Sequence, residues 1–188
     1  MKKVFLSVAI LFASLASFAQ KWTVDQAHSK IGFTVTHIML SEVDGNFKKF
    51  DASITSAKED FTDAVFTLSI DVNSVDTDNE MRDKHLKGAD YFDVEKFPKI
   101  NFTSKFITKI DAKNYNMNGD LTMHGVTKPI SLKLVLNGVG KNMRTQKPLA
   151  GFKVTGTINR KDFGVSNAPG AMLSEDIEIR AVGEFNKE

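Results

Sequence analysis

Ala64-Val65-Phe66-Thr67-Leu68-Ser69-Ile70-Asp71-Val72 alternates apolar and polar residues with period two from Phe66 onward. Successive side chains of a strand point to opposite faces, so one face of this segment is greasy and the other wet. The same reading holds for Ile31, Phe33 and Val35 between Gly32, Thr34 and Thr36. It holds again for Ile130, Leu132, Leu134 and Leu136 between Ser131, Lys133 and Val135. Many such strands in one chain predict an all-β fold, a single curved or closed antiparallel sheet whose greasy faces converge.

Working outward, strands are predicted over 21–24, 29–37, 43–50 with a continuation at 53–57, 64–72, 100–109, 114–124, 126–136, 151–159 and 176–185. His124-Gly125 makes the tight turn of one hairpin. Gly119 marks a bend or bulge. Residues 60–63 are polar and turn-like, and 138–148 and 160–174 read as loops. The period changes once. Asp76 to Glu80 offer helix-start residues, Met81 to Lys87 suit two turns, and Gly88 is a natural stop, so one short helix is predicted near 78–87.

The first 19 residues carry a different message. Lys2 and Lys3 precede an apolar stretch over 4–15, and Ser17 and Ala19 are small residues at the spacing of a signal-peptidase site. We expect a secretory signal peptide over 1–19, cut after Ala19, and a single domain over 20–188. Cleavage leaves 169 of the 188 residues, enough for a core without disulfides. It also removes two of the 25 basic residues, which then equal the 23 acidic ones. A neutral chain without a basic patch gives no support for nucleic-acid binding. No second apolar stretch is long enough for a membrane span after signal cleavage. The absence of cysteine excludes thiol catalysis and thiolate metal sites.

Catalytic patterns are weak. His28, His37, His85 and His124 are scattered without HxxH or HxH spacing, so no metal site is predicted. Asp25, His28 and Ser29 supply the letters of a triad but sit within five residues of one another. There is no G-x-S-x-G elbow, and no nucleotide-binding motif implies a cofactor. The sequon Asn101-Phe102-Thr103 lies inside a predicted strand. What remains is the apolar surface: Phe33, Phe47, Phe66, Phe102, Phe106, Phe152 and Phe185 all fall on inward-phase positions. They can fill a core or line a container, since an eight-stranded barrel lies near the size where either occurs.

Eight short strings carry a resemblance. They are Trp22 to Ser29, Ile31 to His37, Val43 to Phe47, Ser74 to Thr77, Arg82 to Leu86, Phe97 to Phe102, Gly119 to Pro129 and Asn159 to Gly164. In this order and spacing the chain resembles the YceI family of bacterial secreted proteins from Trp22 to about Phe185. The resemblance implies an extended, lipocalin-like antiparallel β-barrel of about eight strands with a long apolar tunnel. It implies a long-chain lipid ligand, polyprenyl or fatty-acyl, and no established catalytic activity. The expected tunnel lining is Phe33, Val35, His37, Phe47, Phe66, Leu68, Ile70, Phe92, Phe102, Phe106, Leu121, Leu132, Leu134, Phe152, Phe163, Ile177 and Ile179. Asn79, Arg82 and His85 on the short helix are the head-group candidates, weighed against Arg82 and Asp83 forming local salt bridges that anchor the helix to the barrel.

Two other readings compete. An enzyme acting on the held lipid would use His37 as acid or base. An outer-membrane barrel needs its apolar face outward, and Lys105, Lys109, Lys133, Lys153, Glu178 and Arg180 on the strand faces oppose it. The expected location is periplasmic or secreted. The oligomeric state stays open, a homodimer being one option.

Overall fold

The computed structural model describes residues 19–188. The expected signal peptide therefore lies, but for its last residue, outside the described residues. Ten strands form one antiparallel sheet: β1 (Gln20–His37), β2 (Ser41–Phe47), β3 (Phe50–Ser56), β4 (Val65–Asp71), β5 (Val75–Asp76), β6 (Lys99–Lys109), β7 (Asn114–Met123), β8 (Val126–Lys141), β9 (Pro148–Asn159) and β10 (Leu173–Lys187). The helix α1 (Glu80–Lys87) lies between β5 and β6.

Closure comes from β1 pairing with β10 along almost its whole length. The order β1-β3-β4-β6-β7-β8-β9-β10 then returns to β1, a closed barrel of eight strands. The first half of β1 pairs with β3 and the second half with β2, so β2 and β3 act as one strand broken at Lys48-Lys49. The short β5 continues the β4 side by pairing with β2. Closure removes every free edge except at this extension.

Bulges explain where the strand pattern departs from simple alternation. Residues 21–24 and 29–37 read as separate strands, yet they are one 18-residue strand. Between Asp25 and Lys30 the β1–β10 register shifts. The inward phase changes from Trp22 and Val24 to Ile31, Phe33 and Val35. A bulge that inserts an odd number of residues has this effect on a period-two pattern. Asp25 stitches the bulge by accepting from Ala27 N–H (3.0 Å).

A second correction concerns 138–148. Most of it is strand: Gly138, Val139, Gly140 and Lys141 pair with Gly151, Ala150, Leu149 and Pro148. Two glycines without side chains hide the alternation there, leaving only 142–147 as the connection.

The two barrel ends differ. At one, Trp22, Phe61, Phe66, Phe152 and Phe185 pack edge to face with ring centroids 5.0–5.9 Å apart. Phe61 is buried at 2% exposure despite a left-handed backbone (φ 57°). The polar residues around it explain how it is held. Asp60 accepts from Thr62 N–H (3.2 Å) and Oγ1 (2.8 Å), and its carbonyl accepts from Tyr115 O–H (3.0 Å). Asp63 accepts from Ser56 Oγ (2.6 Å), Ala57 N–H (2.9 Å) and Lys58 N–H (3.2 Å). The other end is ringed by the β1–β2 turn, the 160–172 segment, α1 and the irregular stretch 88–98.

Candidate functional site

Above the aromatic floor the barrel is hollow. A cavity of about 440 Å³ runs from Phe66, Phe152 and Phe185 to Arg82, His85 and His37. Its volume is that of a small-molecule site. Phe33, Val35, Phe47, Leu68, Ile70, Phe92, Phe102, Leu121, Leu132, Ile177 and Ile179 all line it. Ile31, Phe50, Ile100, Met117 and Met123 line it as well and were not among the expected residues.

Three glycines help keep it hollow. A Cβ on Gly45 would lie 2.2 Å from Cζ of Phe33, its cross-strand partner. One on Gly156 would lie 2.4 Å from Cδ2 of Leu132, and one on Gly119 2.7 Å from Cζ of Phe102. Each large side chain thus lies back over a bare backbone instead of crossing the lumen. Glycine inside a strand marks this kind of close approach.

Three expected lining residues lie elsewhere. Phe106 is 58% exposed on the outer surface. The register of β6 against β7 shifts between Ser104 and Phe106, so Ile107 rather than Phe106 packs against the core. Ser104 itself is buried and accepts from Phe66 N–H (2.8 Å), which is why a polar residue interrupts the inward face. Leu134 and Phe163, each 1% exposed, belong to the packed core and not to the cavity wall. Leu134 pairs with Tyr115 near the filled end, where side chains leave no lumen.

At the mouth, α1 starts on Asn79, whose side chain accepts from Arg82 N–H (3.0 Å), and stops at Gly88. Asn79 therefore caps the helix and does not line the cavity, whereas Arg82 and His85 do. Neither Arg82 nor Asp83 forms a salt bridge among the described residues, although both do anchor the helix. Both side chains instead grip buried Thr77: Arg82 Nε donates to its Oγ1 (2.7 Å) and Nη2 to its carbonyl (2.6 Å). Asp83 accepts from Thr77 N–H (2.9 Å) and Oγ1 (2.6 Å). Among the described residues Nη1 of Arg82 has no hydrogen-bond partner, and no carboxylate lies within ion-pair distance of this guanidinium.

Arg160, which also lines the cavity, is 3% exposed. Its Nε donates to Ser174 O (3.0 Å), Nη1 to Val165 O (3.1 Å) and Ser166 O (2.7 Å), and Nη2 to Ala168 O (2.7 Å) and Leu173 O (3.0 Å). All five N–H groups are thus satisfied by carbonyls, and the 160–174 segment is wrapped around a buried cation. Sequence reading placed a loop here but not the arginine that orders it. Gly164 (φ 68°) makes the return possible by closing the 3-10 turn over Arg160–Phe163.

His37 sits at the exposed rim. Asp25 and His28 do meet (3.1 Å), outside the barrel and with Glu184 at 4.0 Å. Their contact raises the His28 pKa and lowers that of Asp25, chiefly through the hydrogen bond they share. Ser29 does not complete a triad: its hydroxyl accepts from Glu184 N–H (3.2 Å) and makes no hydrogen bond to His28 among the described residues. No helix among the described residues is long and apolar enough to cross a membrane.

Comparison with known proteins matches this arrangement. Residues 22–185 match the YceI-like domain family. A UPF0312 protein of Staphylococcus aureus (strain N315) is 36% identical over 170 residues, covering 88% of this chain and 96% of that protein. The Campylobacter jejuni YCEI crystal structure superposes with a TM-score of 0.72 at 33% identity, over 81% of this chain and 90% of that one. Burkholderia cenocepacia BcnA shares the fold with a TM-score of 0.78 at 24% identity, over 86% and 98% of the two chains. A polyisoprenoid binding domain from Saccharophagus degradans shares it with a TM-score of 0.66 at 15% identity, over 89% and 98%. The chain belongs to the YceI family.

Proposed function

We propose that this protein is a non-enzymatic carrier that holds a long-chain amphiphilic lipid, polyprenyl or fatty-acyl, inside its barrel. The observation that carries the reading is the hollow itself: about 440 Å³, walled mostly by apolar side chains, floored by aromatic rings and with its arginine and histidine side chains at one end. Moving an apolar chain from water into such a space recovers roughly 0.8 kcal/mol per CH₂. That force is non-directional, so it selects length and girth, and the polar end must select the head group. Arg82 reaches the cavity with Nη1 unbonded and without a carboxylate partner among the described residues, and the carbonyl-held Arg160 adds a second positive charge to the lining, which favours a phosphate or carboxylate head. The polyisoprenoid-binding neighbour supports the same ligand class.

The amino-terminal segment supports export, and the working place of the barrel is then the periplasm or the medium. Amino-terminal sequencing of the protein from an osmotic-shock fraction tests this, with Gln20 expected as the first residue. Native mass spectrometry of the protein purified from its host without detergent tests the cargo. A stoichiometric long-chain lipid is expected. A barrel that is empty, and that also refuses polyprenyl phosphates and fatty amides, contradicts the reading. An enzymatic role rests on His37 alone. His37→Ala is expected to leave uptake intact, and product formed from a bound lipid by the wild type but not by this variant would establish catalysis instead.

A further inference from the structure

We propose that the tip of the β1–β2 hairpin docks on a phospholipid bilayer and positions the cavity mouth against it, an inference that rests on the lipid reading above. The turn is His37-Ile38-Met39-Leu40. Leu40 N–H donates to His37 O (3.0 Å), and both central residues have left-handed backbones (φ 45° and 57°). This is the type I′ geometry, which strongly prefers Asn-Gly because side chains at positive φ are strained. Isoleucine, branched at Cβ, is among the worst residues for it.

The chain contains its own control. His124-Gly125 makes a second turn with two positive φ values (51° and 75°) at the same barrel end, and there the second residue is glycine. Phe97 packs on that turn, whose Gly125 has room for nothing larger. The β1–β2 tip instead carries apolar side chains into solvent. Met39 is 75% and Leu40 83% exposed, and Ile38 N–H donates to the carbonyl of Met172 (2.9 Å), itself 56% exposed. Strain and apolar exposure are both costs to the isolated protein.

Position indicates what recovers them. His37 and Leu173, which immediately flank Ile38 and Met172 in the chain, line the cavity. The apolar tip is therefore continuous with the cavity rim. A stable protein partner needs a face of about 800 Å² per side. A convex tip of a few side chains does not offer one, whereas a deformable bilayer accepts it. Glu42 and Asp44 beside the tip are exposed, so attraction to anionic lipid is not the driving force and docking should be insensitive to salt.

The test uses the mature protein with phosphatidylethanolamine–phosphatidylglycerol vesicles carrying a fluorescent polyprenyl phosphate. The wild type is expected to co-sediment with vesicles and extract the probe. M39D/L40D should lose co-sedimentation and extract roughly tenfold more slowly. It should still take up detergent-dispersed probe as tightly as the wild type. I38N/M39G, whose residues suit the positive φ of this turn, is expected to fold at least as stably as the wild type and should also slow extraction. M143D, at an exposed methionine of the opposite end, should behave as wild type. Equal extraction by M39D/L40D and wild type, or no vesicle association of the wild type, overturns the docking proposal. Uptake failing even from detergent overturns the lipid reading itself.

Discussion

The two ends of this barrel are built from the same kind of strand, yet one is sealed and the other open. At the sealed end a buried Phe61 is pinned by a loop whose carboxylates accept backbone and hydroxyl hydrogen bonds. At the open end the cations do the ordering, Arg160 through five carbonyls and Arg82 through Thr77. Apolar side chains there face water. A container needs this asymmetry: a floor that survives without the cargo and a mouth that is completed by it. Carboxylates bonded within the floor leave nothing for an anionic head group, while at the mouth Arg82, with Nη1 unbonded and no carboxylate in ion-pair range among the described residues, invites one.

The sharpest way to break the contrast is to remove the floor. Phe61→Ala deletes a ring that touches Trp22 and Phe152. It should cost about 3–5 kcal/mol in denaturant unfolding. A cost under 1 kcal/mol would mean that the floor is not a structural plug.

Filling the hollow is the next test. Gly45→Ala places a methyl group where the Phe33 ring lies, so the ring must swing into the lumen. The expected cost is about 1–3 kcal/mol, with weaker binding of a polyprenyl phosphate. Unchanged affinity in a calorimetric titration would show that the passenger does not share the Phe33 level of the cavity.

At the mouth the sign reverses. I38N/M39G relieves a strained turn and should raise stability by about 1 kcal/mol while slowing lipid extraction. A gain in stability with no loss of extraction would make the Ile-Met tip a mere imperfection.

The smallest effect is that of acid. Asp60 has its pKa lowered to about 2, first by the Thr62 hydroxyl, then by Thr62 N–H and by Lys109. A group depressed in the folded state contributes stability above its unfolded value, 3.8, and loses it as pH falls toward 2. The 57–64 loop should therefore loosen below pH 4, seen as faster amide exchange of Phe61, while α1 is little changed. Equal acceleration in α1 would remove the distinction between the ends.

The strands were legible because Phe66, Leu68 and Ile70 or Ile31, Phe33 and Val35 keep a strict period of two. Phe106 was misplaced for the same reason, since a bulge shifts the phase and leaves no local mark except a neighbouring buried serine. Phe61 was hidden inside Asp60 to Asp63, where polar residues signal a turn but do not reveal that the turn folds inward. Arg160 gave no sign of burial because the backbone carbonyls that hold it are invisible in sequence. Most of the cavity wall could be read from alternation, but its hollowness could not. That depends on cross-strand pairs such as Phe33 with Gly45, which require the register.

The most direct test of an oriented passenger is methyl NMR of the protein loaded with a polyprenyl phosphate spin-labelled at its head group. Met81 stands on α1 and Met172 beside the cavity rim, while Met143 stands at the far end. Bleached Met81 and Met172 methyl signals with a sharp Met143 signal are predicted. Bleaching of Met143 alone, or of none of the three in a loaded protein, would contradict a cargo held with its head at the arginine-lined mouth.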